Sequence, residues 1–252
     1  MLLTIDVGNT NTVIGCFEGD HLVDSWRIKT DARATADEIA LLLRGLLADQ
    51  PRPQGIAACS TVPAVLHELR AVFERYYVDV EAVIVEPGVK TGVPILYDNP
   101  REVGADRIVN ALAAHHLFGG PAIVVDFGTS TNFDVVSERG EFLGGALAPG
   151  IEISVDALAA RAARLLKVEL VRPRSVIGKS TVEALQSGII FGFAGQIDGL
   201  VRRIAAELDA DPIVIATGGL AVLVMDEAET ITEHEPDLTL IGLRLVFERN
   251  RD

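Results

Sequence analysis

Cysteine, lysine and long apolar runs are all scarce in this chain of 252 residues, and each scarcity excludes something. Only two cysteines are present, Cys16 and Cys59. Their spacing fits no metal site, and two thiols do not make a disulfide framework, so a reducing, cytoplasmic setting is expected. There are four lysines, and the 22 basic residues stand against 36 acidic ones for a net charge of −14. With the basic residues scattered, neither nucleic acid nor an acidic membrane surface is expected as a partner. Anionic small molecules stay open, because local amides and bound cations override the global sign. The longest apolar stretch, "PIVIATGGLAVLVM", is too short and too broken by glycine to span a bilayer. The start of the chain has no basic segment, and Asp6 interrupts its apolar run, so no signal peptide is expected.

What the sequence does hold is a repeat. The apolar share of 49% supports a sizeable core, and the length suits two halves, expected at 1–118 and 119–252. In the first, "LLTI" runs into Asp6-Val-Gly-Asn-Thr; in the second, "AIVV" runs into Asp126-Phe-Gly-Thr-Ser. Each is followed by a second strand, a glycine turn ("EGD", "RGE") and a third strand. Helical patterns come next, "ADEIALLLRGLLAD" and "DALAARAARLL". Further strands are expected at "GIAACSTV", "EAVIVEP" and "PIVIATGG". One D-x-G-x-[ST] is an ordinary turn. Two with matching flanks imply a duplicated α/β domain with a cleft between its halves.

Such a loop has a physical logic. A strand that ends on a carboxylate puts it where a hydrated divalent cation can sit. Gly8 and Gly128 carry no side chain, so phosphate can approach the amides that follow. Hydroxyls of Thr10, Thr12 and Thr129 add donors. Gly218-Gly219 after a later strand could lie against a base or ribose, although a plain turn is the commoner role.

The paired loops resemble the actin, Hsp70 and sugar-kinase superfamily, and within it the chain is similar to the type III pantothenate kinases. The resemblance covers almost the whole chain and rests on "DVGNTNT", "YDNPREVGADR", "DFGTSTNFD", "GGALAPG" and "GKSTVEALQSG". One departure stands out: Ser130 and Asn132 replace the alanine and last threonine of the family's D-x-G-T-A-x-T loop.

The resemblance implies a fold of duplicated ribonuclease H-like (actin-like) halves and an ATP-dependent phosphotransferase acting on pantothenate. It implies Asp106 as general base, with Tyr97, Gly104, Ala105, Asp106, Arg107 and Thr181 as substrate contacts. ATP would lie on Asp6, Val7, Gly8, Asn9, Thr10, Asn11, Thr12, Val13 and Thr129. Asp6 would hold Mg2+ through water, and Asp126 a monovalent cation, K+ or NH4+. These roles suit the chemistry. Pantothenate offers a primary hydroxyl as acceptor and a carboxylate that a guanidinium can grip in bidentate fashion. Phosphoryl transfer through a loose transition state asks mainly for positioning and charge neutralisation.

From the residues alone, Asp106 and Arg107 near the start of a helix are equally well read as ordinary dipole pairing. "GKST" at 178–181 lacks the glycine of a phosphate-binding P-loop, since Pro173 stands there. His115-His116 reads as structural, and Arg202-Arg203 as a solvated helix face. The segment "TVEALQSGIIFGFAGQIDGLV" is apolar around much of its circumference, which suggests a homodimer. The alternatives are another small-molecule kinase or phosphatase of the superfamily, or a non-enzymatic accessory regulator. "YDNP" and "GADR" favour the pantothenate kinase.

Overall fold

The computed structural model of the chain describes residues 1–161 and 168–251. Its contacts gather into two units. The first comprises 1–93, 98–113 and 238–252, and the second 94–97 and 114–237.

In the first unit, β1 (Leu2–Val7), β2 (Asn11–Glu18) and β3 (His21–Lys29) form an antiparallel meander. β4 (Gly55–Ser60) and β5 (Glu81–Ile84) then add in parallel, giving the order β3-β2-β1-β4-β5. Between them come α1 (Ala36–Leu46) and α2 (Pro63–Tyr76), the crossover helices that parallel strands require. Side chains of a strand alternate between faces. Leu3, Ile5 and Val7 of β1 therefore point one way and join Ile14, Leu43, Val65 and Leu69 in a buried core. Thr4 and Asp6 point the other way. α1 begins at a capping box, in which Thr35 caps the Glu38 amide and the Glu38 carboxylate accepts from the Thr35 amide.

The segment 100–102 makes one 3-10 turn, and α3 (Ala105–Phe118) starts at the expected place. The division of units cuts α3 after Ala113.

The second unit repeats the first sheet strand for strand. β6 (Ala122–Phe127), β7 (Ser130–Val136) and β8 (Phe142–Pro149) form the meander, with β9 (Ile213–Thr217) and the two-residue β10 (Glu233–His234) in parallel beside β6. The order is β10-β9-β6-β7-β8. α4 (Ile151–Arg161) begins five residues before "DALAARAARLL", and residues 162–166 of that stretch lie outside the described residues. α5 (Thr181–Leu208) is capped by Ser180, whose hydroxyl accepts from the Glu183 amide. It is long and apolar enough to cross a membrane by length and composition alone. Its Ile189, Ile190, Ala194, Ile197 and Val201 are buried, and several pack with Val125, Phe133 and Val214 in the second core.

The contacts divide the chain differently from a single cut at 118/119. The last helix, α6 (Leu238–Asn250), packs on β1 and β4 of the first sheet. Its Leu238, Leu240, Leu243, Val246 and Phe247 are buried. The backbone of Gly55 accepts the Phe247 ring so closely that a Cβ there would lie 2.2 Å from it.

Candidate active site

β1 carries Asp6 to the edge of the first loop and stops at buried Val7. The loop then closes on itself. The Gly8 amide donates to the Asn11 carbonyl (3.0 Å), and Asn9, Thr10 and Asn11 are exposed. Thr30, the residue that follows β3, braces it: its amide donates to the Thr10 carbonyl (2.9 Å), and its Oγ1 donates to the Gly8 carbonyl (2.7 Å). The Thr12 hydroxyl is buried and shares a hydrogen bond with Thr30 (2.9 Å), on the face of the sheet opposite Asp6. Val13, paired with Asp6 across the sheet, is half-buried on the Asp6 face. The exposed rim of Asn9 to Asn11 thus presents backbone and short polar side chains.

Asp6 has a partner that sequence reasoning missed. β4 lies parallel to β1 and sets Cys59 beside Asp6, and its thiol donates to Asp6 Oδ1 at 3.2 Å. The signal was the strand "GIAACS" itself, but the register was needed to find the pair. Burial pushes the Asp6 carboxyl up to about 7, and the negative charge of Asp106 adds to the rise. The Cys59 hydrogen bond and the Arg27 charge pull the other way. Burial also pushes the Cys59 thiol well above its ordinary value.

Asp106 lies in the first turn of α3, where helix amides favour a carboxylate. Burial nonetheless raises its pKa, against the opposing pull of the Arg107 amide and guanidinium. Its Oδ1 is buried and has no hydrogen-bond partner. Such an atom is costly unless a ligand completes it. Gly104 makes the arrangement possible: a Cβ at this position would sit 2.4 Å from Asp106 Oδ1. Ala105 opens the helix, and Arg107 is buried at 8% exposure, an unusual place for a guanidinium. The first unit therefore brings together Asp6, Asp106, Arg107 and the 6–13 loop.

Two carboxylates are hard oxygen donors. Among the described residues no cluster of three or more His, Cys, Asp or Glu side chains is placed to hold a metal. This donor set suits Mg2+, which takes one or two carboxylates and keeps its remaining positions for water and phosphate. The apolar cavity of about 220 Å3 in this unit lies elsewhere, on the other face of the sheet, lined by Ile5, Val7, Ile14 and Leu43.

In the second unit, Asp126 occupies the place on β6 that Asp6 holds on β1. The Gly128 amide donates to the Ser130 carbonyl (3.0 Å), and exposed Thr129 accepts at its carbonyl from the Gly150 amide (3.2 Å). The two departures from the family's loop bond to each other, Ser130 Oγ donating to Asn132 Oδ1 at 2.7 Å. Gly218 has a positive φ of 87°, and a Cβ on it would lie 2.6 Å from Asp126 Oδ1. Tyr97 also belongs to this unit, its ring 6.2 Å from that of Phe142 and over Gly144. Thr181 is exposed at the start of α5. Residues 168–180, which precede α5, contain no strand, as the rejection of a P-loop requires. His115 bonds the Glu138 carbonyl through Nε2 (3.1 Å), His116 is exposed, and Arg202 pairs with Glu229 on a solvated face.

Comparison with known proteins follows the same lines. A family profile described as type III pantothenate kinase matches residues 2–203. A type III pantothenate kinase of Frankia casuarinae is 70% identical over 250 residues, covering 99% of this chain and all of that protein. Among solved structures, a Campylobacter jejuni protein assigned to the Baf family of transcriptional activators superposes with a TM-score of 0.62 at 19% identity, covering 98% of each chain. The inorganic polyphosphate/ATP-glucomannokinase of Arthrobacter sp. strain KM gives 0.55 at 12% identity, covering 99% of each. At these identities the structures show the shared actin-like fold alone.

Proposed function

The chain belongs to the type III pantothenate kinase family, and on that premise we propose a residue-level account of how it phosphorylates the primary hydroxyl of pantothenate with ATP. The observation that carries the account is Asp106 Oδ1, buried and without a partner at the head of α3. An acceptor oxygen left incomplete in the protein is suited to the hydroxyl proton of a bound alcohol. Asp106 is the general base in this reading. Its raised proton affinity helps it take the proton that leaves as the phosphoryl group arrives. Arg107 grips the pantothenate carboxylate, and Tyr97, Gly104, Ala105 and Thr181 complete the substrate contacts.

The loop from Asp6 to Val13 carries the nucleotide, with Thr129 as a further ATP contact. Mg2+, when bound, neutralises phosphate charge, and Asp6 would hold it through water. Asp126 would hold a monovalent cation, K+ or NH4+, whose charge would offset the repulsion between this carboxylate and the triphosphate. The working form is a homodimer. Supporting this, the exposed side of α5 leaves open space above Gly188, Gly192 and Gly195. Val182 on the same helix is 48% exposed.

The test is a substrate panel. With ATP and Mg2+, pantothenate should be phosphorylated while hexoses and acetate are not. Turnover of a hexose or acetate in place of pantothenate would overturn the reading.

A further inference from the structure

Asp6 belongs to a transverse row of the first sheet. The register pairs Asp6 with Val13 on β2 and Val13 with Arg27 on β3. Residues directly opposite on neighbouring strands project to the same face. Arg27 therefore stands on the Asp6 face, two strand spacings or about 10 Å of sheet away, with only the uncharged Val13 between.

Arg27 is exposed, and among the described residues it makes no ion pair and no side-chain hydrogen bond. In a chain of net charge −14, a guanidinium beside the phosphate loop and not engaged by an acid is conspicuous.

The duplicated half sharpens the point. Its equivalent row reads Asp126 on β6, Asn132 on β7 and Leu147 on β8. Leu147 is 62% exposed hydrocarbon where the first half has a cation. The two rows share a carboxylate and differ in whether the protein supplies its own positive charge.

We propose that Arg27 is a nucleotide-binding residue, its guanidinium taking phosphate oxygens of the nucleotide held on the 6–13 loop. A guanidinium suits this role, since its planar fork matches phosphate in bidentate geometry. The inference rests on the reading that this loop binds ATP. A competing role exists: β3 is an edge strand, and charges there discourage pairing with other chains. That role needs no nucleotide.

Calorimetric titration of ADP and Mg2+ into wild type, Arg27→Gln and Arg27→Lys distinguishes the two, together with steady-state kinetics. Arg27→Gln should weaken ADP and raise the KM for ATP by about tenfold, the loss of one charge-assisted hydrogen bond. Arg27→Lys should recover part of the affinity. The KM for pantothenate at saturating ATP, and the melting temperature, should stay unchanged in both. Equal ADP affinity in wild type and Arg27→Gln would overturn this inference alone. Failure of the wild type to bind ADP would overturn the loop reading and the inference with it.

Discussion

At the scale of the residue, the account turns on side chains held in unfavourable protonation environments. Asp6 titrates near 7 in the fold and near 3.8 when exposed. Between those values the folded state binds more protons than the unfolded one, so this group makes stability fall as pH rises from about 4 to about 7. The contribution is full below the unfolded value and gone above the folded one. Urea denaturation of the ligand-free protein at several pH values should show this decline in the wild type and a flatter profile in Asp6→Asn. Parallel profiles would contradict the assignment. The thiols make a second case. Cys16 and Cys59 are both buried, Cys16 is pushed up to about 11, and Cys59 is raised well above its ordinary value. Thiolate, not thiol, is the reactive form. Neither should react with a disulfide reagent at pH 8 in the folded protein, and both should react after denaturation. Fast modification of native Cys59 would show that the pair with Asp6 is more open than the geometry indicates.

Elements decide where those residues stand. Gly104 precedes α3 and leaves room for Asp106 Oδ1, so Gly104→Ala must displace the carboxylate. The expected outcome is a folded enzyme whose kcat falls at least tenfold, on the scale of losing part of a positioned base. Unchanged kcat would mean that Asp106 does not act from its present place. α1 supplies a stability test. Removing its capping box with Thr35→Ala should cost about 1 kcal/mol in chemical denaturation, with no change in kcat. Much at this scale was legible in the sequence. Two D-x-G loops, two glycine hairpins and the "GADR" helix start all stand where local patterns put them, because turn chemistry and period-2 alternation are short-range signals. Cys59 beside Asp6 was not legible, since a parallel pairing joins residues far apart in sequence through a register that no local pattern encodes.

Over the whole molecule, duplication was readable while the final path of the chain was not. The helix at 238–250 was not among the elements expected from the sequence: its apolar residues are buried around much of its circumference, so they mark no single face and name no partner. Contacts with β1 and β4 settle it, returning the last helix to the first sheet. The same reasoning applies to the uncovered side of α5. A homodimer through that helix predicts that Gly192→Arg, placed in open space, gives a folded monomer by light scattering. A wild type that is already monomeric would remove the dimer. The proposed phosphoryl transfer turns most directly on Asp106, so the decisive measurement is kcat for Asp106→Asn under saturating ATP and pantothenate. The substitution keeps shape and removes the base. The account predicts a fall in kcat of about a hundredfold or more with substrate binding retained. An Asp106→Asn enzyme that keeps most of its turnover would contradict it.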